Sequence, residues 1–322
     1  MLLITAFDPP TSPARVDGPT ADGLDRSDLP RRVFRVGAVQ MQFDADPAVH
    51  EAVLAEGVEL AAGAGATLVC LPELTLSPYF AMSDSGPLDG AAQPEVLNGG
   101  PTYRFAAACA ADTGAFVHAS LYEAPGDDVS DGSRLGFNTA ICVAPDGSIV
   151  ARTRKMHIPI TAGYHEDRWF RPGDSGFPVV DVGGLQTGFP TCWDQWFPEL
   201  ARAYSLAGAE ALVYPTAIGS EPNHPGFDTE PLWEQVIRAN GIANGTFMVA
   251  INRTGTEGSL TFYGSSFISD PYGRVLAKAP RGEPAVLVAD LDLDQRRDWL
   301  ALFPFLTTRR PDQYGPLTEP SP

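Results

Sequence analysis

Apolar runs that suit strands alternate along the chain with segments whose apolar residues recur at helical spacing. The first run, "VFRVGAVQMQF", predicts a strand over residues 33–43, and "HEAVLAEGVELAAGAGA" predicts the helix that follows it. Strands that alternate with helices favour a mixed α/β domain, and strands that are apolar throughout indicate sheets covered on both faces. Further strands are predicted over residues 67–74, 115–123, 177–183, 185–192, 211–216, 246–252 and 285–292, and further helices over residues 102–114, 197–209 and 231–245.

Two hairpins interrupt this alternation. In "NTAICVAPDGSIVARTRK" two apolar runs meet at Pro145, Asp146 and Gly147, and "SSFISDPYGRVLAKA" turns between Asp270 and Gly273. Short Pro-Asp-Gly segments between apolar runs are typical of hairpin turns. Residues 33–305 contain neither an internal repeat nor a linker, so we expect them to form one domain.

The two ends of the chain differ from this central region. Residues 1–32 are rich in Pro, Asp, Gly and Thr and lack periodicity, which predicts a flexible N-terminal arm. A proline-rich tail occupies residues 306–322. The apolar patch at the start lacks the basic residues of a signal peptide, and no apolar run approaches the roughly 18 residues of a membrane-spanning helix.

Composition narrows the kinds of partner. Apolar residues make up 44% of the 322 positions, enough for a sizeable core, and 22 basic against 40 acidic residues give a net charge of −18. Such a charge argues against nucleic acid or an anionic membrane as the partner. The four cysteines show neither metal-binding spacing nor a disulfide pattern, so we expect reduced thiols in a cytoplasmic protein.

One cysteine has a sequence setting that suits a nucleophile. In "GFPTCWDQWFPEL", Cys192 lies between a predicted strand and a predicted helix. The positive end of the helix dipole would favour its thiolate there, and the following backbone N–H would be available to an oxyanion. The alternative is a buried apolar filler, because cysteine is among the most buried residue types. We interpret Cys70, Cys109 and Cys142, which lie inside apolar runs, as such fillers.

A nucleophilic cysteine needs a base and a positive charge. No histidine lies in a recognisable cysteine-protease signature, and His157 is expected to be a packing neighbour of the site. Glu73 ends the apolar run "LVCLPEL", where a partly desolvated carboxylate would suit the removal of a thiol proton. Lys155 ends "IVARTRK", where its ammonium would lower a thiol pKa. The alternatives are a solvated carboxylate and a surface lysine.

Taken together, these residues and their motifs resemble the nitrilase superfamily of carbon–nitrogen hydrolases, whose members carry a Glu–Lys–Cys triad. The matching strings span residues 34–315 and include "RKMHIP", "GYHEDRWFRPGDSGFPV", "CWDQWFPELAR" and "YGSSFISDPYGRVLA". The resemblance implies a four-layer αββα sandwich, with a carbon–nitrogen hydrolase domain over residues 33–305. It also implies a homodimer or larger homo-oligomer, a C-terminal tail at a subunit interface, and catalysis without a metal or an organic cofactor.

The resemblance also assigns roles by motif. Glu73 corresponds to the general base, Lys155 to the lysine on the oxyanion side, and Cys192 to the nucleophile of a covalent thioester-type intermediate. Glu166, in "GYHED", corresponds to a second glutamate that positions Lys155 and the substrate. One departure is Thr191, because family members usually carry an aliphatic residue before the cysteine.

Within the superfamily, "CWDQWFPE" and "PTAIGSEP" are most similar to the branch that hydrolyses N-carbamoylputrescine. This implies a small carbamoyl amine as substrate. Glu221 is the candidate partner of the distal ammonium, and Tyr79 and Trp193 are candidate pocket walls; a solvent-facing loop charge is the alternative for Glu221. Asp194 is expected to anchor the turn after the cysteine.

Other activities stay open on the sequence alone. An N-carbamoyl-β-alanine or N-carbamoyl amino acid hydrolase would need an arginine in its pocket, for which Arg253 and Arg168 are candidates. A simple amidase, an acyltransferase on the same fold and a non-catalytic interaction protein are further alternatives. The combination of Glu73, Lys155 and Cys192 speaks against the last of these.

Overall fold

The structure is a computed structural model that describes residues 1–15, 30–82, 84, 92–126 and 135–319. The predicted strands and helices of the central region are present in the predicted order, with ends that shift by a few residues. The strands are β1 (Leu2–Ala6), β2 (Val33–Gln40), β3 (Leu68–Cys70), β4 (Phe116–Glu123), β5 (Phe137–Val143), β6 (Ile149–Arg154), β7 (Ile160–Thr161), β8 (Tyr164–His165), β9 (Val179–Val182), β10 (Leu185–Gly188), β11 (Ala211–Thr216), β12 (Phe247–Asn252), β13 (Thr254–Glu257), β14 (Leu260–Tyr263), β15 (Phe267–Ser269), β16 (Val275–Lys278) and β17 (Ala285–Asp292).

The helices begin and end where local chemistry favours it. The first helix starts with a proline, and the side chain of Asp46 accepts the N–H of Ala48 (2.9 Å) at its N-terminus. Gly114 and Gly245 end two others in the left-handed conformation that glycine adopts without strain. No helix in the described parts of the chain is both long and apolar enough to span a membrane. The helices are α1 (Pro47–Gly63), α2 (Pro101–Thr113), α3 (Pro198–Leu206), α4 (Glu230–Asn244) and α5 (Asp294–Leu302).

Within the described residues, the strands form two mixed sheets and two short hairpins. The first sheet has seven strands in the order β1-β17-β2-β3-β4-β5-β6, and the second has six in the order β16-β15-β12-β11-β10-β9. Parallel pairing joins β2 to β3 and β3 to β4 in the first sheet, and β10 to β11 and β11 to β12 in the second. The parallel strands therefore deliver the residues that follow them to one edge of each sheet.

The two sheets pack face to face, and helices cover the outer face of each. The core between the sheets includes Val36 from the first sheet and Val213 from the second. Helices α1 and α2 pack on the seven-stranded sheet, and α3 and α4 pack on the six-stranded sheet. These layers confirm the predicted four-layer αββα sandwich. Cys70 and Cys142 lie in the inter-sheet core and Cys109 lies on the buried face of α2, as expected of apolar fillers.

The start of the chain differs from the predicted flexible arm. Leu2–Ala6 form β1, which pairs in parallel with β17 at the edge of the seven-stranded sheet. The pattern "LLITA" gave no signal of this, because a strand of five residues shows little periodicity and its partner lies some 280 residues further along the chain. The arm prediction is therefore wrong for this segment. Residues 16–29 of the predicted arm lie outside the described residues.

The C-terminal tail folds back over the second helical layer. It contains the 3-10 turns Pro311–Gln313 and Gly315–Thr318. A groove of about 620 Å³ lies between the tail and this helical layer. Its lining includes Tyr314 of the tail and Arg202 of α3. Residues 320–322 lie outside the described residues. A subunit contact for residues 306–322 stays a prediction.

His118 is a buried imidazole that makes stability depend on pH. Its ring stacks on Phe189 (5.4 Å between ring centroids), and neither ring nitrogen has a hydrogen-bond partner among the described residues. Burial lowers the pKa of His118 from 6.5 to about 3. Below pH 6.5 the unfolded chain binds a proton at this histidine, whereas the folded chain does not bind it until about pH 3. The free energy of unfolding therefore decreases as the pH falls through this interval.

We expect His118→Leu to remove this acid sensitivity. Between pH 6.5 and pH 5 the parent protein should lose about 1.6 kcal/mol of unfolding free energy through His118, and the variant should keep it. Urea unfolding at both pH values measures the difference. The matched control is His224→Leu, which replaces a histidine in an exposed loop outside the core and shows whether the effect belongs to the buried imidazole. Equal slopes for the parent and His118→Leu would contradict the prediction.

Candidate active site

The structure brings three of the predicted site residues together at the ends of strands. Glu73 follows β3, Lys155 follows β6 and Cys192 follows β10. The ammonium of Lys155 donates to Oε1 of Glu73 (2.9 Å) and to Oε1 and Oε2 of Glu166 (2.8 and 2.6 Å). All four residues are buried. The sequence alone left a surface lysine and a solvated strand-end glutamate open, and the structure excludes both positions.

The two oxygens of Glu73 differ in their surroundings. Oε1 accepts hydrogen bonds from Lys155 and from Nδ2 of Asn138 (2.7 Å). Oε2 is buried and has no hydrogen-bond partner among the described residues. Glu73 therefore presents one anchored oxygen and one that is available to a proton. Nothing in the sequence marks Asn138 as a neighbour of Glu73, because an asparagine inside a strand gives no local sign of the residue it will contact.

Cys192 lies in a strained turn. Its φ is +37°, a left-handed conformation that is uncommon for a residue with a side chain and that clusters at functional sites. It opens the 3-10 helix Cys192–Trp196. The N–H of Thr191 donates to Oδ2 of Asp194 (3.0 Å), and the N–H of Asp194 donates back to the carbonyl of Thr191 (3.0 Å). These two bonds confirm that Asp194 anchors the turn.

Asp194 also ties this turn to the segment after Lys155. Its Oδ1 accepts the backbone N–H of His157 (2.9 Å) and contacts Nδ1 of the same residue (2.8 Å). The ring of His157 stacks on Phe197 (3.6 Å between centroids), which agrees with its expected role as a packing neighbour. One buried carboxylate thus fixes the residues next to Cys192 relative to those next to Lys155.

The electrostatics of the cysteine correct one expectation from the sequence. Burial raises the pKa of the Cys192 thiol well above its ordinary value, and the carboxylate of Glu73 raises it further. The ammonium of Lys155 and a backbone N–H from Ala217 oppose this rise without overcoming it. We expected a thiolate favoured by Lys155 and the helix dipole. Burial and the neighbouring carboxylates instead favour a resting thiol, which needs a base to remove its proton.

Lys155 keeps its charge although it is buried. Burial by itself lowers the pKa of Lys155, but the carboxylates of Glu166 and Glu73 outweigh that cost and raise it above its ordinary value. Burial raises the pKa of Glu166, whereas Lys155 opposes that shift. The site therefore holds an ammonium between two carboxyl groups, an arrangement that is chemically suited to stabilising a negative charge.

Tyr79 lies elsewhere than predicted. It was expected on the pocket wall, but its side chain is fully buried, and its hydroxyl donates to Oε1 of Glu166 (3.0 Å). Its ring packs edge-on against Phe262 (5.8 Å between centroids). Tyr79 therefore supports the carboxylate of Glu166 and is not among the described residues that line the cavity.

A cavity of about 180 Å³ opens onto the cysteine. Trp193 and Glu221 lie on its wall, as predicted, and Thr229 donates to Oε1 of Glu221 (3.3 Å). None of the described residues that line it is a lysine or an arginine, and the described residues contain no group of three or more His, Cys, Asp or Glu arranged to hold a metal ion. The lining residues are Pro159, Thr161, Tyr164, Glu166, Cys192, Trp193, Trp196, Ile218, Glu221, Thr229 and Leu232.

The two arginines considered for a substrate carboxylate are absent from that lining. Arg253 is buried, and its guanidinium donates to the backbone carbonyl of Glu73 (2.7 Å). The side chain of Arg168 is 57% exposed and lies beside Asp167 (3.4 Å). The structure therefore places neither arginine where it could bind a substrate carboxylate in this cavity.

The comparison with known proteins identifies the class. The family model described as carbon-nitrogen hydrolase matches residues 35–301, so the chain belongs to that family, within the nitrilase superfamily, and is an enzyme of this class. An N-carbamoylputrescine amidase of Solanum tuberosum is 36% identical over 291 residues, 88% of this chain and 94% of that protein. A citrullinase of Francisella tularensis subsp. tularensis is 36% identical over 288 residues, 87% and 96%. The solved carbon-nitrogen hydrolase of Helicobacter pylori G27 is 32% identical, with a TM-score of 0.78 over 89% and 99% of the two chains.

Proposed function

We propose that the protein hydrolyses N-carbamoylputrescine to putrescine, carbon dioxide and ammonia, a step of polyamine biosynthesis, in the cytoplasm. The observation that carries this proposal is a single small cavity with Cys192 and Glu166 on its lining and the carboxylate of Glu221 on the same wall. The first two residues belong to the proposed reaction centre, and the third would bind a cation. Relatives with this activity, such as the Solanum tuberosum enzyme, support the choice.

In the proposed mechanism, the unpartnered Oε2 of Glu73 takes the proton of the Cys192 thiol. The sulfur then attacks the ureido carbonyl, and the oxyanion receives hydrogen bonds from Lys155 and from the backbone N–H of Trp193. Removal of one such preorganised donor typically costs about 3 to 4 kcal/mol of transition-state stabilisation. Glu73 next passes its proton to the terminal nitrogen, which leaves as ammonia, and a thiocarbamate remains on the sulfur.

The second half of the reaction restores the enzyme. Glu73 takes a proton from water, and the resulting hydroxide attacks the thiocarbamate carbonyl. The carbon–sulfur bond breaks, and the proton held by Glu73 returns to the sulfur. The product is a carbamic acid, which decomposes to the amine and carbon dioxide. Glu166 keeps Lys155 in place throughout, through the two hydrogen bonds that it accepts from the ammonium.

The charges around the cavity favour a substrate with a cationic tail. Glu221 provides the acceptor, and the faces of Trp193 and Tyr164 provide aromatic surface for an ammonium group. A carbamoyl amino acid would bring a carboxylate as well, and no described lysine or arginine lines the cavity to receive it. This contrast favours a carbamoyl diamine over citrulline or N-carbamoyl-β-alanine.

An ammonia-release screen tests the substrate. We expect N-carbamoylputrescine to have the highest kcat/KM in a panel that also contains citrulline, N-carbamoyl-β-alanine and a plain aliphatic amide. A higher value for N-carbamoyl-β-alanine would overturn the proposed substrate while leaving the hydrolase intact. Product analysis with added amines distinguishes hydrolysis from acyl transfer.

Glu221→Gln should weaken binding of the cationic substrate selectively. A hydrogen bond to a charged group contributes about 1.5 to 3 kcal/mol, so we expect KM for N-carbamoylputrescine to rise about 10- to 100-fold. KM for the neutral N-butylurea should change little. The control is Glu199→Gln, an exposed glutamate at the start of α3 that does not line the cavity. Equal increases in KM for both ureides would remove the proposed ammonium contact.

We also propose a homodimer or larger homo-oligomer. Leu206 of α3, Ile242 of α4 and Leu317 of the C-terminal tail are exposed apolar side chains on the second helical layer and its covering segment. Such a face is normally covered by a partner. Light scattering should give a multiple of the 34.3 kDa chain mass, and a monomer at micromolar concentration would contradict this proposal.

A further inference from the structure

Arg253 holds the backbone of the turn that carries Glu73. It follows β12, and its side chain is only 4% exposed. One nitrogen of the guanidinium, Nη2, donates to the carbonyl of Glu73 (2.7 Å), to that of Leu74 (3.2 Å) and to that of Ser77 (3.2 Å). A second nitrogen, Nη1, donates to Oε1 of Glu257 (2.7 Å). Every one of these partners is either backbone of the Glu73 turn or the arginine's own counter-ion.

The turn needs such support because its backbone is strained. Leu74, next to Glu73, has a φ of +51°, a conformation that residues with side chains seldom adopt. Strained conformations persist only where the surrounding structure holds them. Three carbonyls that converge on one point would also repel one another without a cation between them. The guanidinium supplies that cation at a position about 180 residues away in the chain.

Glu257 binds the backbone at the other end of this turn, at Tyr79. Its Oε2 accepts the backbone N–H of Tyr79 (2.7 Å), while its Oε1 binds Arg253. The hydroxyl of Tyr79 in turn donates to Glu166, whose carboxylate accepts two hydrogen bonds from Lys155. The ion pair between Arg253 and Glu257 is therefore connected to Glu73 and, through Tyr79, to Glu166. These are the two carboxylates that contact Lys155.

We infer that Arg253 and Glu257 are positioning residues that set the place of Glu73 directly, and of Glu166 through Tyr79. Neither side chain is among the described residues that line the cavity, so neither is expected to touch the substrate. The inference rests on the proposed role of Glu73 as the base. Arginine is required here because its planar fork reaches the carbonyls and the carboxylate at once, which the single nitrogen of a lysine does not.

Arg253→Lys and Glu257→Gln test the inference through the separation of kcat from KM. We expect kcat to fall about 10- to 100-fold in each, because misplacing a catalytic group by about 1 Å has an effect of that size. KM should stay within about twofold of the parent, since neither substitution replaces a residue of the cavity lining and Glu221, the proposed partner of the substrate ammonium, is not linked to this ion pair. In Arg253→Ala, millimolar guanidinium ion should restore part of kcat, a response that a loss of folded protein would not give.

The matched control is Arg238→Lys. Arg238 also pairs with a glutamate four residues away, Glu234 (2.7 Å), and also donates to a backbone carbonyl, that of Gly273, but it lies on α4 outside the cavity lining. Its kcat should equal that of the parent. Rates are normalised to folded protein, measured by near-ultraviolet circular dichroism, and each variant is compared with the parent on the ureide or amide that the parent hydrolyses fastest.

An unchanged kcat in folded Arg253→Lys and Glu257→Gln would overturn the inference, as would a rise in KM without a fall in kcat. If Arg253→Lys does not fold, Glu257→Gln and the guanidinium response of Arg253→Ala decide the matter. The proposed function fails by a different result, namely a different preferred substrate or turnover that survives the loss of Cys192. The two failures are therefore distinguishable.

Discussion

Cys192→Ala should abolish turnover and leave the fold intact. If the sulfur forms the covalent intermediate, its removal leaves no nucleophile, and losses on the order of 10⁶-fold are known for such residues. The substitution removes one buried atom at the edge of a cavity, so the unfolding free energy should change little. Ammonia release measures the loss. Mass spectrometry of quenched parent enzyme should show an adduct equal to the substrate minus ammonia, which is absent from the variant.

Cys109→Ala is the matched control for this result. Cys109 is a free, buried cysteine of α2 that packs against the outer face of the seven-stranded sheet and has no place in the proposed chemistry. Its variant should keep the turnover of the parent, with a lower unfolding free energy from the lost packing. Substantial hydrolysis by Cys192→Ala would refute the covalent scheme, whatever the behaviour of the control.

Glu73→Gln should nearly stop turnover while it makes the cysteine easier to ionise. The amide cannot take the thiol proton, and loss of a general base costs about 10²- to 10⁴-fold. Its carbonyl oxygen can still accept from Lys155 and Asn138, so the site should keep its shape. The Glu73 carboxylate contributes to the raised pKa of Cys192, so the pH midpoint for alkylation by iodoacetamide should fall in the variant.

Turnover that falls while the reactivity of the thiol rises distinguishes loss of the base from general damage to the site. A distorted site would lose both turnover and thiol reactivity. The control is Glu210→Gln, because Glu210 is a buried carboxylate that pairs with Arg32 away from the cavity (2.6 Å). It should change neither quantity. Turnover at the parent rate in Glu73→Gln, or an alkylation midpoint that stays in place, would count against Glu73 as the base.

Local patterns were sufficient for most of the fold. The runs that became β11 and β17 were predicted with their observed ends, because apolar residues bounded by polar or glycine-rich segments define them. The segment before Glu73 was less well defined: the apolar run continues to residue 74, but the strand ends at Cys70. Where a strand stops pairing depends on its neighbours in the sheet, which the run itself does not record. The same limit explains why β1 was missed.

In the candidate site, too, the sequence predicted some residues correctly and others incorrectly. Residues that occur in distinctive strings, such as Lys155 and Glu166, were selected correctly as neighbours, and their contact at 2.6 Å is observed. Tyr79 was assigned to the pocket, and Arg253 was a candidate for it if the substrate carried a carboxylate, because an aromatic ring and a guanidinium are groups that a ligand would use. Both instead bind the protein itself. Sequence identifies the chemical group, but the direction in which it points depends on long-range packing.

The proposed nucleophile and its proposed partners come from opposite halves of the sandwich. Cys192 follows a strand of the six-stranded sheet, whereas Glu73 and Lys155 follow strands of the seven-stranded sheet. Their spacing is therefore a property of how the two sheets are docked, and a slide of one sheet over the other would separate sulfur from base even with both sheets intact. Packing residues such as Phe189, which lies between the two sheets, therefore help to hold the sulfur and the base at their distance from each other. We therefore expect the catalytic rate to depend on how the two sheets are positioned relative to each other.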